Sequence, residues 1–404
     1  RLKKSQLCAQ AALMDEVLLS RALTFSSKLL TLLVNMLQEG DGQDLQCFGA
    51  YPEFYLEDIL DLVIFLQRNA PQVLLECSTV DLPEHLVFFV CNTQSTKNPF
   101  LQAKIVETLF NFCPLVQPAA APVFNAIMNL PMATESLFVS LMKFYCDVEV
   151  TGSHNEFFDK FSFRYNVQII FKCLWKNALH RHIMVEKCQK CGPEFIRFVN
   201  MLINDTTFLL DESLQALNTI NECEKIMESP EFATKTREEQ RSVRDKMRES
   251  QGLARSMLQL GRETLDTFVR LSEPLADAFL NPLLGSRLAA TLNYNMKQLC
   301  GKECRNLRVR HPEQYHWEPR RLLEQLTDIY LNLDSQKFAE YIAADQRSYT
   351  KEMFDDVIDR LTRSNIKGLS QIEKMKNLGE LVFQEFKRNL QTEKDWGEIP
   401  DEFA

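Results

Sequence analysis

The apolar residues of this chain recur at helical spacing almost throughout, and no stretch alternates with period two. Leu137, Leu141, Phe144, Tyr145 and Val148 fall at steps of 0, 4, 7, 8 and 11. Leu322, Leu326, Ile329, Tyr330 and Leu333 repeat that pattern, and Phe195, Val199, Leu202 and Ile203 repeat its first four steps. Each set forms one stripe on a helix, and each stripe must bury against a neighbour. Glycine usage points the same way. The chain has 12 Gly in 404 residues, about 3% against roughly 7% in average proteins. A β-sandwich needs many tight turns and a nucleotide fold needs Gly-rich phosphate loops, so both are excluded. The expected fold is all-α.

The chain is longer than one hydrophobic core usually supports, so two lobes or an extended superhelix are expected. Prolines 83, 99, 114, 118, 122 and 131 divide the first third into short helical pieces. Ser229-Pro230 reads as an N-cap followed by Pro at the first helical position. Gly368 is expected to end one helix, and Ser370 to Glu373 reads as a capping box that starts the next. Residues 233–250 are rich in both charge signs and poor in large apolar groups, as in an exposed helix or linker. A boundary is placed near them, with residues 1–230 on its N-terminal side, residues 231–395 on its C-terminal side and a short segment 396–404 at the end.

Lys plus Arg number 46 and Asp plus Glu 55, a net charge of −9. Of that, residues 1–230 carry 18 basic and 26 acidic groups, a net −8. Nucleic acid is therefore not an expected partner, since it favours a clustered basic face. Between Lys28 and Arg68 stand Glu39, Asp41, Asp44, Glu53, Glu57, Asp58 and Asp61 with no basic residue. They read as a solvated acidic face, with a docking patch for a basic partner as the sharper alternative. A second cluster, Lys302, Arg305, Arg308, Arg310, Arg320 and Arg321, is interrupted by Tyr315, His316 and Trp317. It reads as a structured inter-helix loop pinned by Trp317.

Twelve cysteines raise disulfide, metal and nucleophile chemistry. Cys91, Cys113, Cys146 and Cys173 sit in apolar runs and are expected as buried free thiols. No signal peptide opens the chain, and no apolar run is expected to approach membrane-spanning length. A reduced intracellular compartment is expected. The first residue is Arg1, which reads as a fragment or a processed form. Zinc needs four ligands, usually as two close pairs. Cys188 and Cys191 follow His180 and His182, while Cys300 and Cys304 precede His311 and His316. The spacings are wrong for a finger, and Pro312 breaks the second set. No metal and no cofactor is expected. No GxSxG, P-loop, HExxH or GxGxxG occurs.

MLINDTTFLLDESL (201–214) is a polar insert between apolar helical stretches. Asn204, Asp205, Thr206 and Thr207 read as a cap for a helix starting near Phe208. Asn204, Asp205, Asp211 and Glu212 are also candidate partner-binding residues.

Several segments resemble the ubiquitin conjugation factor family, the chain-elongating U-box ubiquitin ligases. They are KNPFLQAKIVETLF (97–110), SLMKFYCDVEVTG (140–152), EFFDKFSFRYNVQIIFKCLW (156–175) and FVNMLINDTTFLLDESL (198–214). RLAATLNYNMKQLCG (287–301), LLEQLTDIYLNLD (322–334) and IAADQRSYTKEMFDDVI (342–358) continue the match in order. The likeness is weaker before residue 50. It implies an elongated superhelix of stacked armadillo/HEAT-like helix pairs. It also implies that Pro400, Asp401, Glu402 and Phe403 form the junction to a U-box, which these residues do not include. In the family the U-box recruits the ubiquitin-charged conjugating enzyme and orients its thioester for attack by a lysine. No catalytic residue is then expected in this chain, and no cysteine needs to be a nucleophile. Implied partners are ubiquitylated substrates, a hexameric AAA ATPase segregase and ubiquitin-like domains of proteasome shuttle proteins. A monomer in cytoplasm and nucleus, binding no membrane, is the corresponding expectation. The competing reading is a non-catalytic armadillo/HEAT-type adaptor.

Overall fold

The computed structural model describes residues 2–38, 52–76, 81–92, 96, 98–149, 159–190 and 192–397. Every regular element among these residues is helical, in agreement with the expected class. Contacts divide the chain into two compact units, Arg1–Lys190 and Cys191–Ala404.

In the first unit α1 (Leu2–Leu13) and α2 (Glu16–Gln38) precede α3 (Phe54–Asn69), α4 (Pro71–Glu76) and α5 (Asp81–Cys91). Then come α6 (Pro99–Asn111), α7 (Ala121–Met128), α8 (Phe138–Asp147), α9 (Asp159–Lys176) and α10 (Ala178–Lys190). Proline punctuation acts as expected. Pro99 opens α6 behind the N-cap Asn98, whose side chain accepts from the Phe100 amide at 3.0 Å. Pro118 and Pro122 start a 3₁₀ turn and α7. Helix α6 packs on α3, α5 and α9, and the core includes Leu60, Val63, Leu109, Phe171 and Tyr145. Cys113, Cys146 and Cys173 are buried free thiols, while Cys91 is half-buried.

One expectation is corrected here. Glu16–Gln38 is long and apolar enough to cross a membrane by length and composition. Arg21 and Lys28 interrupt its apolar run, which hid that length in the sequence. In the fold, Leu23, Leu30 and Leu33 turn inward, and the helix packs against α3, α4 and α5. Its other face leaves Leu18, Phe25 and Leu32 exposed.

The second unit comprises α11 (Gly192–Glu228), α12 (Arg237–Ser272), α13 (Ala276–Phe279), α14 (Gly285–Cys300) and α15 (Pro319–Asn332). It continues with α16 (Gln336–Ala344), α17 (Met353–Arg363) and α18 (Leu369–Gly397). The long helices α11 and α12 pack as a hairpin joined by the 3₁₀ turn Pro230–Thr234. The charge shift near residue 231 falls at that turn. Ser229-Pro230 starts only the turn, and the Ser229 hydroxyl donates back to the Ile226 carbonyl at 2.9 Å. Helix α12 is instead opened by a capping box. Thr236 Oγ1 accepts from the Glu239 amide at 3.3 Å, and Glu239 Oε2 accepts from the Thr236 amide at 2.8 Å. The charged stretch is the mostly exposed first half of α12, whose buried positions begin at Ala254.

The capping expected at 368–373 is also displaced. Helix α17 closes through Asn365 in the left-handed region at φ 49°, a conformation Asn tolerates. Gly368 then opens α18, its carbonyl accepting from Gln371 and Ile372 at 3.0 Å each, so Ser370 lies inside the first turn. Phe195, Phe268 and Phe279 form one core cluster, with centroids 5.7 and 5.9 Å apart. Tyr330, Phe338 and Phe354 form another. At Gly285 a Cβ would lie 2.2 Å from the Tyr341 ring, so this glycine permits the close approach of α14 and α16.

Candidate functional site

Asn204, Asp205, Asp211 and Glu212 all lie within α11, and residues 201–214 are uninterrupted helix. The expected cap before Phe208 is therefore corrected. The Thr207 hydroxyl donates to the Ile203 carbonyl at 2.9 Å, the back-bond of a helix-interior threonine. A polar run inside an apolar helix here marks a face that bridges to another helix.

The four candidates do not converge on one exposed surface. Asn204 joins α11 to α14: the Arg287 guanidinium donates to Asn200 Oδ1 at 2.5 Å and to Asn204 Oδ1 at 2.8 Å. Thr207 and Thr291 hydroxyls meet at 3.2 Å one turn further on. Asp205 is buried, at 4% exposure. Glu212 is half-buried.

Asp211 has a different setting. It lines a cleft of about 150 Å³ walled by α11, α14 and the 302–307 turn. Asp211, Gln215 and Asn218 follow one another at i, i+4 and i+7 on α11, so they share a face. Tyr294 and Gln298 stand at i and i+4 on α14, and Asn306 comes from the turn. Burial raises the Asp211 carboxyl above the usual carboxylate range, and a hydrogen bond with the Tyr294 side chain offsets part of that rise. Asp211 Oδ1 is buried and has no hydrogen-bond partner among the described residues. Sequence reasoning singled out Asp211 but not Tyr294, Gln298 and Asn306, which line the same cleft. The only local signal for them was a polar i, i+4 pair beside the apolar stripe of α14.

The junction residues Pro400, Asp401, Glu402 and Phe403 lie outside the described residues, as do Glu39, Asp41 and Asp44. Of the remaining acidic run, Glu57 and Asp61 hold Lys104 at 3.0 and 2.9 Å, and Glu53 accepts from Asn98 at 2.6 Å. These contacts tie α3 to the start of α6.

The cysteine and histidine sets have other employment. His180 is buried with Nε2 2.8 Å from the Met128 carbonyl, and Cys188 is buried on the same helix. Cys191 lies outside the described residues. Burial pushes the Cys300 thiol up to about 12, which disfavours the thiolate that a metal or a nucleophile requires. Cys304 Sγ accepts from Arg360 Nη2 at 3.1 Å. His311 faces Glu313, and His316 takes a left-handed turn at φ 56°. Among the described residues no group of three or more His, Cys, Asp or Glu is arranged for a metal ion.

The basic-aromatic stretch is a pinned loop. Tyr315 and Trp317 are buried, and the Tyr315 hydroxyl accepts from Gln251 of α12 at 2.9 Å. Arg255 donates to the Gln314 carbonyl at 2.9 Å. Arg310 pairs with Glu228, and Arg321 lies 3.7 Å from Asp266 and 3.8 Å from Glu318. Arg310 and Arg321 thus have acidic partners within the fold.

Residues 1–382 match the family model described as the ubiquitin elongating factor core. The chain is 34% identical to ubiquitin conjugation factor E4 ufd-2 of Caenorhabditis elegans, covering 98% of this chain and 40% of that protein. It is 31% identical to ubiquitin conjugation factor E4 of Schizosaccharomyces pombe, over 89% of this chain and 36% of the relative. It is 29% identical to the E4 ubiquitin-protein ligase UFD2 of Saccharomyces cerevisiae, over 88% and 38%. The chain thus spans 36 to 40% of the length of these relatives.

Proposed function

The chain belongs to the ubiquitin elongating factor core family, and from that premise we propose that it is the helical core of a U-box ubiquitin ligase. In this reading the full-length protein elongates polyubiquitin chains on already ubiquitylated substrates for proteasomal degradation. The core positions substrate and partners, and a U-box outside these 404 residues orients the charged conjugating enzyme. The catalytic contribution is then proximity and orientation, which needs no covalent intermediate on this chain.

The observation that carries this reading is the match of residues 1–382 to the elongating factor core, together with a relative named as an E4 ubiquitin-protein ligase. The all-helical architecture supports it. The proposed arrangement is an elongated superhelix of armadillo/HEAT-like helix pairs, and hairpins such as α11–α12 are its natural units. Small-angle scattering tests it: a compact globule of this length has a radius of gyration of roughly 22 Å, and the superhelix requires a clearly larger value. Proposed partners are the ubiquitin-charged conjugating enzyme, ubiquitylated substrates, a hexameric AAA ATPase segregase and shuttle-protein ubiquitin-like domains. The proposed site of action is the cytoplasm and nucleus.

Reconstitution with activating and conjugating enzymes is the functional test. The 404 residues alone should form no chains, and the same core joined to a U-box should extend short chains on a pre-ubiquitylated substrate. Robust synthesis by the isolated chain would overturn the placement of the catalytic module. Failure of the U-box form to extend chains would favour the non-catalytic adaptor.

A further inference from the structure

The cleft around Asp211 is lined mostly by polar side chains. Its volume, about 150 Å³, is below the several hundred Å³ of usual small-molecule pockets, so it has room for one long side chain and not for a nucleotide. Two features ask for a ligand. Asp211 Oδ1 is buried without a donor, and no ion pair reaches this carboxylate among the described residues. The carboxamides of Gln215, Asn218, Gln298 and Asn306 line the cleft, with Gln215 and Asn306 exposed at its rim. A carboxamide presents one acceptor and two donors in the geometry of a peptide group. Leu214 and Leu307 supply apolar wall beside them.

The dimensions fit an extended chain. Asp211 and Asn218 are seven residues apart on a helix, about 10 Å along its axis. An extended peptide covers that length in about three residues. Charge selects the side chain. Helix α11 carries seven acidic groups against Arg197 and Lys225, and the exposed cations Lys297 and Arg308 do not line the cleft.

We propose that this cleft binds an extended segment of a partner protein through one arginine, whose guanidinium seats on Asp211 while the flanking main chain bonds to the carboxamides. Arginine suits the site better than lysine. Its planar fork of five donors reaches the Asp211 carboxylate and neighbouring amide oxygens together, whereas an ammonium is more strongly hydrated. The inference does not depend on the ligase reading, because a U-box plays no role in it.

The test is fluorescence anisotropy with a fluorescein-labelled peptide, Gly-Ser-Gly-Arg-Gly-Ser-Gly, titrated with the 404-residue chain up to millimolar concentration. Saturable binding is expected. It should weaken at least tenfold with Asp211→Asn or when the peptide arginine becomes alanine, and severalfold with Asn218→Ala or Gln298→Ala. Leucine methyl NMR should show Leu214 and Leu307 shifting with the arginine peptide. The Asp211→Asn chain is checked by circular dichroism, and Gln298→Ala stands in for it if it fails to fold. Absence of saturable binding, or binding that these substitutions leave unchanged, would overturn the proposal. Tighter binding of the corresponding lysine peptide would overturn the argument from the guanidinium fork.

Discussion

Tyr330→Phe is the sharpest probe of how the second unit is held together. Tyr330 is fully buried on α15, and its hydroxyl donates to Asn293 Oδ1 on α14 at 2.6 Å. Asn293, itself fully buried, donates to Asp345 Oδ2 at 3.0 Å. Asp345 Oδ1 accepts from the Arg347 and Ser348 amides at 3.3 Å each, which shapes the turn after α16. One hydroxyl thus anchors a chain of bonds through three elements. Burial pushes the Tyr330 hydroxyl well up, so it stays a donor through the alkaline range. Phenylalanine keeps the ring contacts with Phe338 and Phe354, at centroid distances of 5.6 and 6.0 Å. The loss is then confined to one O–H, which leaves a buried acceptor unsatisfied. Such an orphan costs about 1–3 kcal/mol. For a unit of this size that lowers the unfolding midpoint by roughly 2–4 °C per kcal/mol. Trp317 is buried in this unit and reports its unfolding in a background where Trp175 and Trp396 are Phe. Urea titration followed by Trp317 fluorescence should show a lower midpoint with unchanged slope. A change under about 0.5 kcal/mol would mean that Asn293 Oδ1 is not left unsatisfied without the Tyr330 hydroxyl, and the network argument would fail.

Three further outcomes follow from local geometry. Gly285→Ala sets a Cβ 2.2 Å from the Tyr341 ring and should destabilise the second unit by about 1–3 kcal/mol in urea unfolding, with Tyr341→Leu restoring some of the loss. In the first unit Glu149 accepts from Lys160 at 2.8 Å and from Arg164 at 2.7 Å; burial opposes its ionisation, but these two hydrogen bonds outweigh it and hold the carboxyl below its ordinary value of 4.5. Its contribution is therefore fully present above that value and fades as pH falls through the lower folded one. Glu149→Gln should cost roughly 1–3 kcal/mol at pH 7, less than a fully buried pair because the carboxylate is 40% exposed, and should flatten the acid limb of stability against pH. Finally, brief iodoacetamide treatment at pH 8 should label exposed Cys8 and spare Cys300, whose thiol is buried and pushed up to about 12, as peptide mass spectrometry will read.

The helical stripes were legible because their spacing is a property of one helix. Leu322, Leu326, Ile329, Tyr330 and Leu333 are all buried along α15 and its C-cap, as their steps require. Trp317 does pin the basic loop, since a large apolar ring among charges has few other places to go. The caps were less legible. Ser370 and Asn204 have capping side chains but lie inside helices, and Ser229 precedes Pro230 at the start of a short 3₁₀ turn without a side-chain cap bond. Thr236 and Gly368 serve instead. Helix α2 shows the same limit: its composition would suit a membrane, and only its contacts show which face turns inward.

The amino-acid order alone determined that this chain is helical, short of glycine because stacked helices need little of it, and related to the ubiquitin elongating factor core. Tertiary structure decided which polar groups meet. Arg287 reaches Asn204 across 83 positions, and the cleft joins residues 211–218, 294–298 and 306. Periodicity is set by the 3.6-residue turn and acts over a few residues. Partnership between distant side chains exists only after the helices have packed, and no local spacing encodes it.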